Sequence, residues 1–277
     1  MSKTVLVILD GCGYALAKEN CGFLEHMAEC GQAAKYKVNS ELPSMSRPLY
    51  ATLLSGLPVH RHGIVNNMVT CPLQAQNIFS LCQNAGLTTA AAAYHWMCEL
   101  FVRTPFAPVQ DRFILNSDAA IQNGIYYFED DYPDSHLFAD ALFLTEYCKP
   151  DFLLVHSMNI DDQGHKHCGG SRQQAAAALK ADVILSSAIP HWQQQGYNIV
   201  VTADHGMNEN GLHGGNSPLQ REVPLYLFGS GIALLGRKDP AISQLAIAPL
   251  LCRLLGILPA PDMQTFEELE VDFFDKA

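Results

Sequence analysis

Short runs of apolar and β-branched residues alternate along this chain with helix-like stretches, and this alternation constrains the fold more than any other feature. Such runs are typical of strands that are buried on both faces of a sheet. They occur at 4–9, 88–94, 151–158, 198–203 and 223–229. Helix-like patterns occur at 21–31, 48–54, 76–86, 135–148, 171–192 and 242–256. The alternation predicts an α/β fold, a three-layer α/β/α sandwich with a mostly parallel central sheet.

The chain is long and apolar enough to form one large core. It has 277 residues, of which 48% are hydrophobic. Since no repeat, linker or shift in composition divides it, we predict a single domain over residues 1–277. The polar and aromatic segment at about 101–133 is predicted to be a substrate-facing excursion from this domain.

Charge and local composition limit the partners. The formal net charge of −11 argues against binding a nucleic acid polymer through a broad basic face. The apolar run before Asp10 is too short for a signal peptide, and no run approaches the ~20 residues that span a bilayer. The nine cysteines contain no C-x-x-C pair, so neither a disulfide framework nor a thiolate zinc site is indicated. A cytoplasmic location without a membrane partner is the expectation.

Three of the predicted strands run into carboxylate and imidazole side chains. Because the carboxyl ends of parallel strands lie at one edge of a sheet, where ligands bind, these side chains are expected to converge. A lone Asp after a strand is most often a turn or cap residue. Turns and caps do not explain, however, why several Asp and His residues should meet at one edge of the sheet. The set comprises Asp10, Asp161, His165, Asp204 and His205, with His213 on a later glycine-rich loop. Carboxylate and imidazole ligands favour Zn²⁺, with Mn²⁺ or Fe as alternatives.

A serine stands just before a predicted helix. Ser46 precedes Pro48, which opens the apolar helical run. A serine at this position is often only an N-cap, but a helix N-terminus also stabilises an alkoxide and an incoming phosphate anion. Ser46 is therefore a candidate nucleophile, with Ser44 as a rival two residues earlier.

Taken together, these segments resemble the alkaline phosphatase superfamily, in particular its nucleotide pyrophosphatase/phosphodiesterase branch, which includes the phosphonoacetate hydrolases. The resemblance rests on motifs that occur in the same order over nearly the whole chain. They are Asp10, Ser46 ten residues before the Gly56 that ends TLLSG, HGI at 62–64, DDQGH at 161–165, DHGM at 204–207, and His213. The short interval between His205 and His213 is more similar to the ethanolamine phosphate transferase relatives, which carry D-H-G-M followed by H-G-G.

The resemblance implies two divalent metal ions, most simply zinc, and assigns their ligands. The first set is Asp161, His165 and His213; the second is Asp10, Asp204 and His205, with Ser46 as a further ligand. The branch also places an Asn 21 residues after the nucleophile, where it donates to a non-bridging phosphate oxygen, and Asn67 stands at that spacing.

By this resemblance the chain is expected to hydrolyse a phosphodiester or phosphoanhydride bond of a small phosphorylated substrate, such as a nucleotide, through a covalent phosphoserine. A phosphonate hydrolase or phosphomonoesterase using the same site is an alternative, and so is a non-catalytic metal-binding protein of this fold. Sulfate hydrolysis is disfavoured because Pro48 is followed by Leu49 and Tyr50 instead of Ser-Arg. His95 and Trp96 are candidates for a leaving-group pocket.

Overall fold

The computed structural model describes residues 2–230, 232–233 and 237–274. Within this part the strands form one nine-stranded sheet, in the order β4-β5-β3-β6-β1-β7-β8-β2-β9. The strands are β1 (Lys3–Leu9), β2 (Ala34–Asn39), β3 (Thr89–Tyr94), β4 (Phe113–Ile114), β5 (Asn123–Tyr127), β6 (Phe152–Ser157), β7 (Tyr197–Thr202), β8 (Glu222–Phe228) and β9 (Arg237–Ser243).

The five strands from β5 to β7 in this order are parallel, and they form the centre of the sheet. In β1, the residues from Val5 to Leu9 are almost completely buried. Apolar burial on both faces explains why β1, β3, β6 and β7 read as apolar runs in the sequence. The carboxyl ends of all five strands therefore lie at one edge.

Helices cover both faces of the sheet. They are α1 (Tyr14–Asn20), α2 (Gly22–Glu29), α3 (Ser46–Ser55), α4 (Val59–His62), α5 (Ile78–Asn84), α6 (His95–Phe101), α7 (Pro108–Asp111), α8 (Asp134–Phe143), α9 (Asn159–His167), α10 (Arg172–Gln194), α11 (Pro218–Arg221) and α12 (Ile247–Leu255). A π-helical turn, Leu144–Cys148, continues α8, and a 3₁₀ turn, Gln244–Ala246, precedes α12. One layer contains α1, α2, α8, α9 and α10, and the other contains α3, α5, α6 and α12. The predicted three-layer fold is confirmed.

The sheet departs from the prediction at one side. The predicted strand at 223–229 is present as β8, but it runs antiparallel to both β7 and β2. A parallel return needs a long crossover, usually a helix. The connection from β7 to β8 contains only the one-turn helix α11, so the chain reverses direction there.

Four strands of the described sheet, β2, β4, β5 and β9, were not predicted, and the sequence explains why β2 and β5 were missed. The segment of β2 contains two lysines, and its apolar alternation is visible only once Lys35 is seen to be buried against Glu25. The segment of β5 begins with Asn123 and Gly124, residues that usually mark turns. Because β5 is buried in the sheet, the predicted excursion at 101–133 is not irregular throughout.

Candidate active site

The predicted metal ligands converge at the carboxyl edge of the central strands. Asp10 directly follows β1, and Asp204 lies two residues after the end of β7. Asp161 and His165 lie one turn apart on α9, so they share one face of that helix. Their nearest atoms, His165 Nε2 and Asp161 Oδ2, are 3.2 Å apart.

A glycine allows the first two of these segments to approach each other. Gly11 has a φ of +72°, and a Cβ at this position would lie 2.9 Å from the Cα of Asp161. Its backbone N–H also donates to Asp204 Oδ1 at 3.3 Å. Any larger residue at position 11 would therefore both strain the backbone and separate Asp10 from Asp161.

The three histidines share one orientation. Each directs Nδ1 to a backbone carbonyl and Nε2 into the cluster, so Nδ1 must carry the proton. The carbonyls belong to Gly211 for His165 (2.8 Å), Gly206 for His205 (3.1 Å) and Ser44 for His213 (3.1 Å). The Nε2 atoms of His165 and His213 lie only 3.2 Å apart. Imidazoles that bind metals are commonly oriented by such a hydrogen bond at the other nitrogen.

The carboxylates offer unused acceptor atoms to the same space. Asp10 Oδ1, Asp161 Oδ1 and Asp204 Oδ2 are buried and have no hydrogen-bond partner within the described part of the chain. Burial of an unpaired carboxylate oxygen is costly, and a cation bound between these atoms would offset that cost. The donor set therefore fits divalent cations.

Among the residues that the structure describes, two groups of potential ligands are compact enough to hold an ion. In each group, one ligand atom per residue lies within 4.8 Å of the others, and the groups are Asp10, Asp204 and His205, and Asp161, His205 and His213. His205 belongs to both groups, and its ring stacks on that of His213 at 3.9 Å. His165 borders the second group through its contacts with Asp161 and His213. All six predicted protein ligands are thus brought together, and their division between two ions stays a prediction.

Burial sets the proton affinities of this cluster. It raises the pKa of Asp10 and of Asp204 well above the ordinary value, and repulsion between neighbouring carboxylates adds to the effect. Burial also lowers the pKa of His205 and of His213 to about 3. The hydrogen bond with Asp161 instead raises the pKa of His165 to about 9. The neutral imidazoles of His205 and His213, beside carboxylates that resist ionisation, form a site that favours an added positive charge.

Ser46 lies at the start of α3, where its Oγ is 3.1 Å from His205 Nε2. The sequence placed this serine before the helix as its N-cap. In the structure Ser46 is the first helical residue and Met45 is the N-cap. The helix starts two residues earlier than predicted because Pro48, which lacks an N–H, is tolerated in the first turn, where amides have no intrahelical acceptor.

Ser44 has a different role from Ser46. Its Oγ donates to the carbonyl of Gly215 at 2.7 Å and accepts from the N–H of Gly214 at 3.1 Å. Its carbonyl accepts from His213. Ser44 therefore positions the loop that carries His213, and its hydroxyl is already occupied.

Asn67 is held beside the start of α3. Its Oδ1 accepts the backbone N–H of Arg47 at 3.0 Å. This contact orients the amide group, so that Nδ2 is the atom left to donate to a ligand next to Ser46. His62 has a structural role, since its ring nitrogens contact the Thr52 hydroxyl and the N–H of Ile64.

Two buried contacts of Asp10 were missed in the sequence. The Tyr50 hydroxyl donates to Asp10 Oδ2, and His156 Nε2 lies 3.0 Å from the same oxygen. His156 interrupts the apolar run of β6. A polar residue within a buried strand could have indicated a functional contact. Nothing in the sequence indicated a role for Tyr50, because Tyr50 occupies an ordinary helical position one turn after Ser46.

The fold and this cluster define an α/β protein of the alkaline phosphatase type. Residues 4–225 match the type I phosphodiesterase / nucleotide pyrophosphatase family. The chain belongs to that family, which confirms the resemblance found in the sequence.

Several solved structures have a fold similar to that of this chain. Human ectonucleotide pyrophosphatase / phosphodiesterase 5 is similar with a TM-score of 0.76 at 15% identity, covering 99% of this chain and 100% of that one. The murine form has a TM-score of 0.76 at 13% identity, covering 97% and 99%. A phosphonate monoester hydrolase of Silicibacter pomeroyi has a TM-score of 0.64 at 13% identity, covering 96% and 76%. At these identities the likeness shows the fold.

Curated relatives are similar over part of the chain. The catalytic subunit of GPI ethanolamine phosphate transferase 3 is 35% identical in Mus musculus over 121 residues, which are 42% of this chain and 11% of that protein. The Homo sapiens protein is 33% identical over 115 residues, which are 40% of this chain and 10% of that protein. The matches thus span about a tenth of these relatives' length. The family and these relatives support a phosphoryl-transfer enzyme.

The cytoplasmic location expected from the sequence is wrong. The curated relatives are transferases named for GPI, which is a membrane glycolipid. In the described part of the chain, no helix combines the length and apolar character needed to cross a bilayer.

Proposed function

We propose that this chain is a metal-dependent phosphoryl-transfer enzyme that moves an ethanolamine phosphate group from a phosphodiester donor to an acceptor hydroxyl. One observation carries the chemistry: the Ser46 hydroxyl lies at a helix N-terminus, 3.1 Å from His205 Nε2 and within the convergent cluster. The names of the curated relatives support the identity of the transferred group.

The first half of the reaction is a displacement at phosphorus. Ser46 Oγ forms a bond to the phosphorus of the donor, and the bond from phosphorus to the leaving oxygen breaks. Ser46 loses its proton and the leaving oxygen gains one. The product is an ethanolamine phosphate ester of Ser46, which the positive end of α3 stabilises electrostatically.

In the second half an acceptor hydroxyl attacks the same phosphorus, and Ser46 Oγ leaves. Asn67 Nδ2 donates to an equatorial oxygen in both halves, where negative charge is spread in the transition state. If water replaces the acceptor, the outcome is hydrolysis. The family match supports hydrolysis as a second candidate function. Transfer and hydrolysis share the first half-reaction.

Divalent cations would be held by the six convergent side chains, with Ser46 as a further ligand. When bound, they would lower the pKa of the serine hydroxyl and offset the negative charge of the phosphate. Tyr50 and His156 hold Asp10 in place for this role.

A donor with a coloured leaving group tests the proposal. Zinc-loaded protein with the p-nitrophenyl ester of ethanolamine phosphate should release p-nitrophenol and form an ethanolamine phosphate adduct on Ser46, detectable by mass spectrometry. Added glycerol should receive the group if the enzyme is a transferase, whereas free phosphoethanolamine alone indicates a hydrolase.

Matched serine variants identify the nucleophile. Ser46→Ala should lose at least ~10³-fold in turnover, because the nucleophile and its surroundings act as a unit. Ser44→Ala keeps the nucleophile but loses the hydrogen bonds to the His213 loop, so a loss below about tenfold is expected. An adduct on Ser44, or undiminished turnover in Ser46→Ala, would overturn the proposal.

A further inference from the structure

The two carboxylate oxygens of Asp10 have different surroundings. The Tyr50 hydroxyl donates to Oδ2, and His156 Nε2 lies 3.0 Å from the same oxygen. Oδ1 is buried and has no hydrogen-bond partner among the described residues. Because Asp10 must be ionised to bind a cation, both contacts at Oδ2 have to be donated by its neighbours. Asp10 therefore offers Oδ1 alone to a cation.

The two donors at Asp10 Oδ2 are held firmly. The side chains of Asp10, Tyr50 and His156 are fully buried. The rings of Tyr50 and His156 meet edge to face at a centroid distance of 4.7 Å, and the Tyr127 hydroxyl donates to the carbonyl of His156 at 2.8 Å. A buried donor that turned away would leave a polar atom unpaired, which is costly. The packing therefore keeps Oδ2 occupied.

Asp204 shows the same division between its oxygens. The N–H of Gly11 donates to Oδ1 at 3.3 Å, while Oδ2 has no hydrogen-bond partner in the described part of the chain. His205 Nε2 lies 3.3 Å from Asp204 Oδ2 and 3.5 Å from Asp10 Oδ1. A tetrahedral zinc ion with bonds of about 2.0–2.2 Å separates neighbouring ligand atoms by about 3.3–3.5 Å. The spacing of these three atoms thus suits zinc.

Calcium needs a different set of ligands. It takes about six to eight oxygen atoms at about 2.3–2.6 Å, and carboxylates often bind it through both oxygens. Asp10 and Asp204 each present one unpaired oxygen to this group, and the third ligand atom is the Nε2 nitrogen of His205. Such a group meets few of the demands of calcium.

We propose that Tyr50 and His156, beyond holding Asp10 in place, make this group of ligands selective for zinc over calcium, because they restrict Asp10 to one metal-binding oxygen. Without these donors Asp10 could turn both oxygens to the cation, an arrangement that suits calcium better than tetrahedral zinc. Tyr50 and His156 are thus positioning residues that act through Asp10. The inference rests on the proposed function only in that the cluster holds divalent cations.

Removal of the His156 donor tests this role. Apoprotein is dialysed against chelator-buffered zinc or against calcium, and both elements are then measured. His156→Leu should bind one of its two zinc ions roughly 10- to 100-fold more weakly, as is typical when a metal ligand loses its outer hydrogen bond. Calcium affinity should stay the same or rise, so the ratio of zinc to calcium affinity should fall at least ~10-fold. A purely structural defect would weaken both metals alike.

Matched variants separate the hydrogen bonds from the packing. His156→Gln keeps an N–H that can donate to Asp10, so its affinity ratio should stay within about threefold of wild type. Tyr50→Phe removes only the hydroxyl and should lower the ratio, as His156→Leu does. Tyr126 is also fully buried, but its hydroxyl has no hydrogen-bond partner among the described residues. Tyr126→Phe should therefore leave the ratio unchanged.

The metal measurements separate this inference from the proposed function, because they use no substrate. If zinc-loaded wild-type protein neither transfers nor hydrolyses the p-nitrophenyl ester, the proposed function fails, and the affinity ratio still decides the role of Tyr50 and His156. Three results would overturn that role: calcium binding as tight as zinc binding in wild type, an unchanged ratio in His156→Leu, or a parallel loss of both metals in that variant.

Discussion

At the scale of single residues, Asn67 carries the most specific prediction. Its Oδ1 is used by Arg47, so its Nδ2 can donate to the phosphate. Asn67→Ala should lower turnover by roughly 10²-fold, as expected for loss of one donor to a developing negative charge. Zinc content should not change.

The adjacent asparagine is the control for this variant. Asn66 Oδ1 accepts from the N–H of Met68 at 2.9 Å, which is a local turn contact. Asn66→Ala should therefore change turnover by less than about threefold. Steady-state kinetics with the p-nitrophenyl ester measure both variants, and equal losses in the two would show that Asn67 only shapes the loop.

At the scale of elements, Asp134 joins the start of α8 to the end of β6. The Ser157 hydroxyl donates to Asp134 Oδ1 at 2.6 Å, while Asp134 Oδ2 is buried and has no hydrogen-bond partner among the described residues. Burial raises the pKa of Asp134 from 3.8 to about 6. Between these two pH values the unfolded chain releases this proton and the folded protein retains it.

The contribution of Asp134 to stability is therefore complete below about pH 4 and is lost as the pH rises to about 6, by up to roughly 3 kcal/mol. Asp134→Asn cannot titrate, so its free energy of unfolding relative to wild type should increase over this interval and then level off. Urea denaturation at a series of pH values measures the difference. A difference that is constant from pH 4 to pH 7 would contradict this assignment.

At the scale of the whole molecule, the site joins four separate parts of the chain. The ligands follow β1, lie on α9, follow β7 and occupy the loop at His213. Because an unfolded chain cannot hold these groups together, cations should bind the native state alone. About two zinc ions per chain are expected by elemental analysis, and removal by EDTA should abolish activity and lower the melting temperature.

The size of this shift in melting temperature depends on how tightly zinc binds the native state. Free zinc at about a thousandfold above the dissociation constant stabilises the fold by roughly 4 kcal/mol per site. Asp161→Asn should lose one ion of the two, while a surface variant such as Asp131→Asn should lose none. Full activity in EDTA-treated protein without bound Zn, Mn or Fe would rule out the metal-dependent mechanism.

The sequence by itself determined four of the five central parallel strands, β1, β3, β6 and β7, and the chemical types of the ligands. Both are local properties: a strand buried on two faces needs a continuous apolar run, and the residue after such a strand lies at a known edge of the sheet. The strand pattern alone therefore places Asp10, Asp161 and Asp204 together. The motif order then predicted the family, which is confirmed.

Tertiary structure alone decided the contacts between distant parts of the chain. Ser44 bonds to Gly215, 171 residues away, and His156 contacts Asp10 across 146 residues. Neither pairing has a local signature, because a hydroxyl or an imidazole can be satisfied by any nearby polar group. The direction of β8 and the burial of β2 depended in the same way on the neighbours that the fold provided.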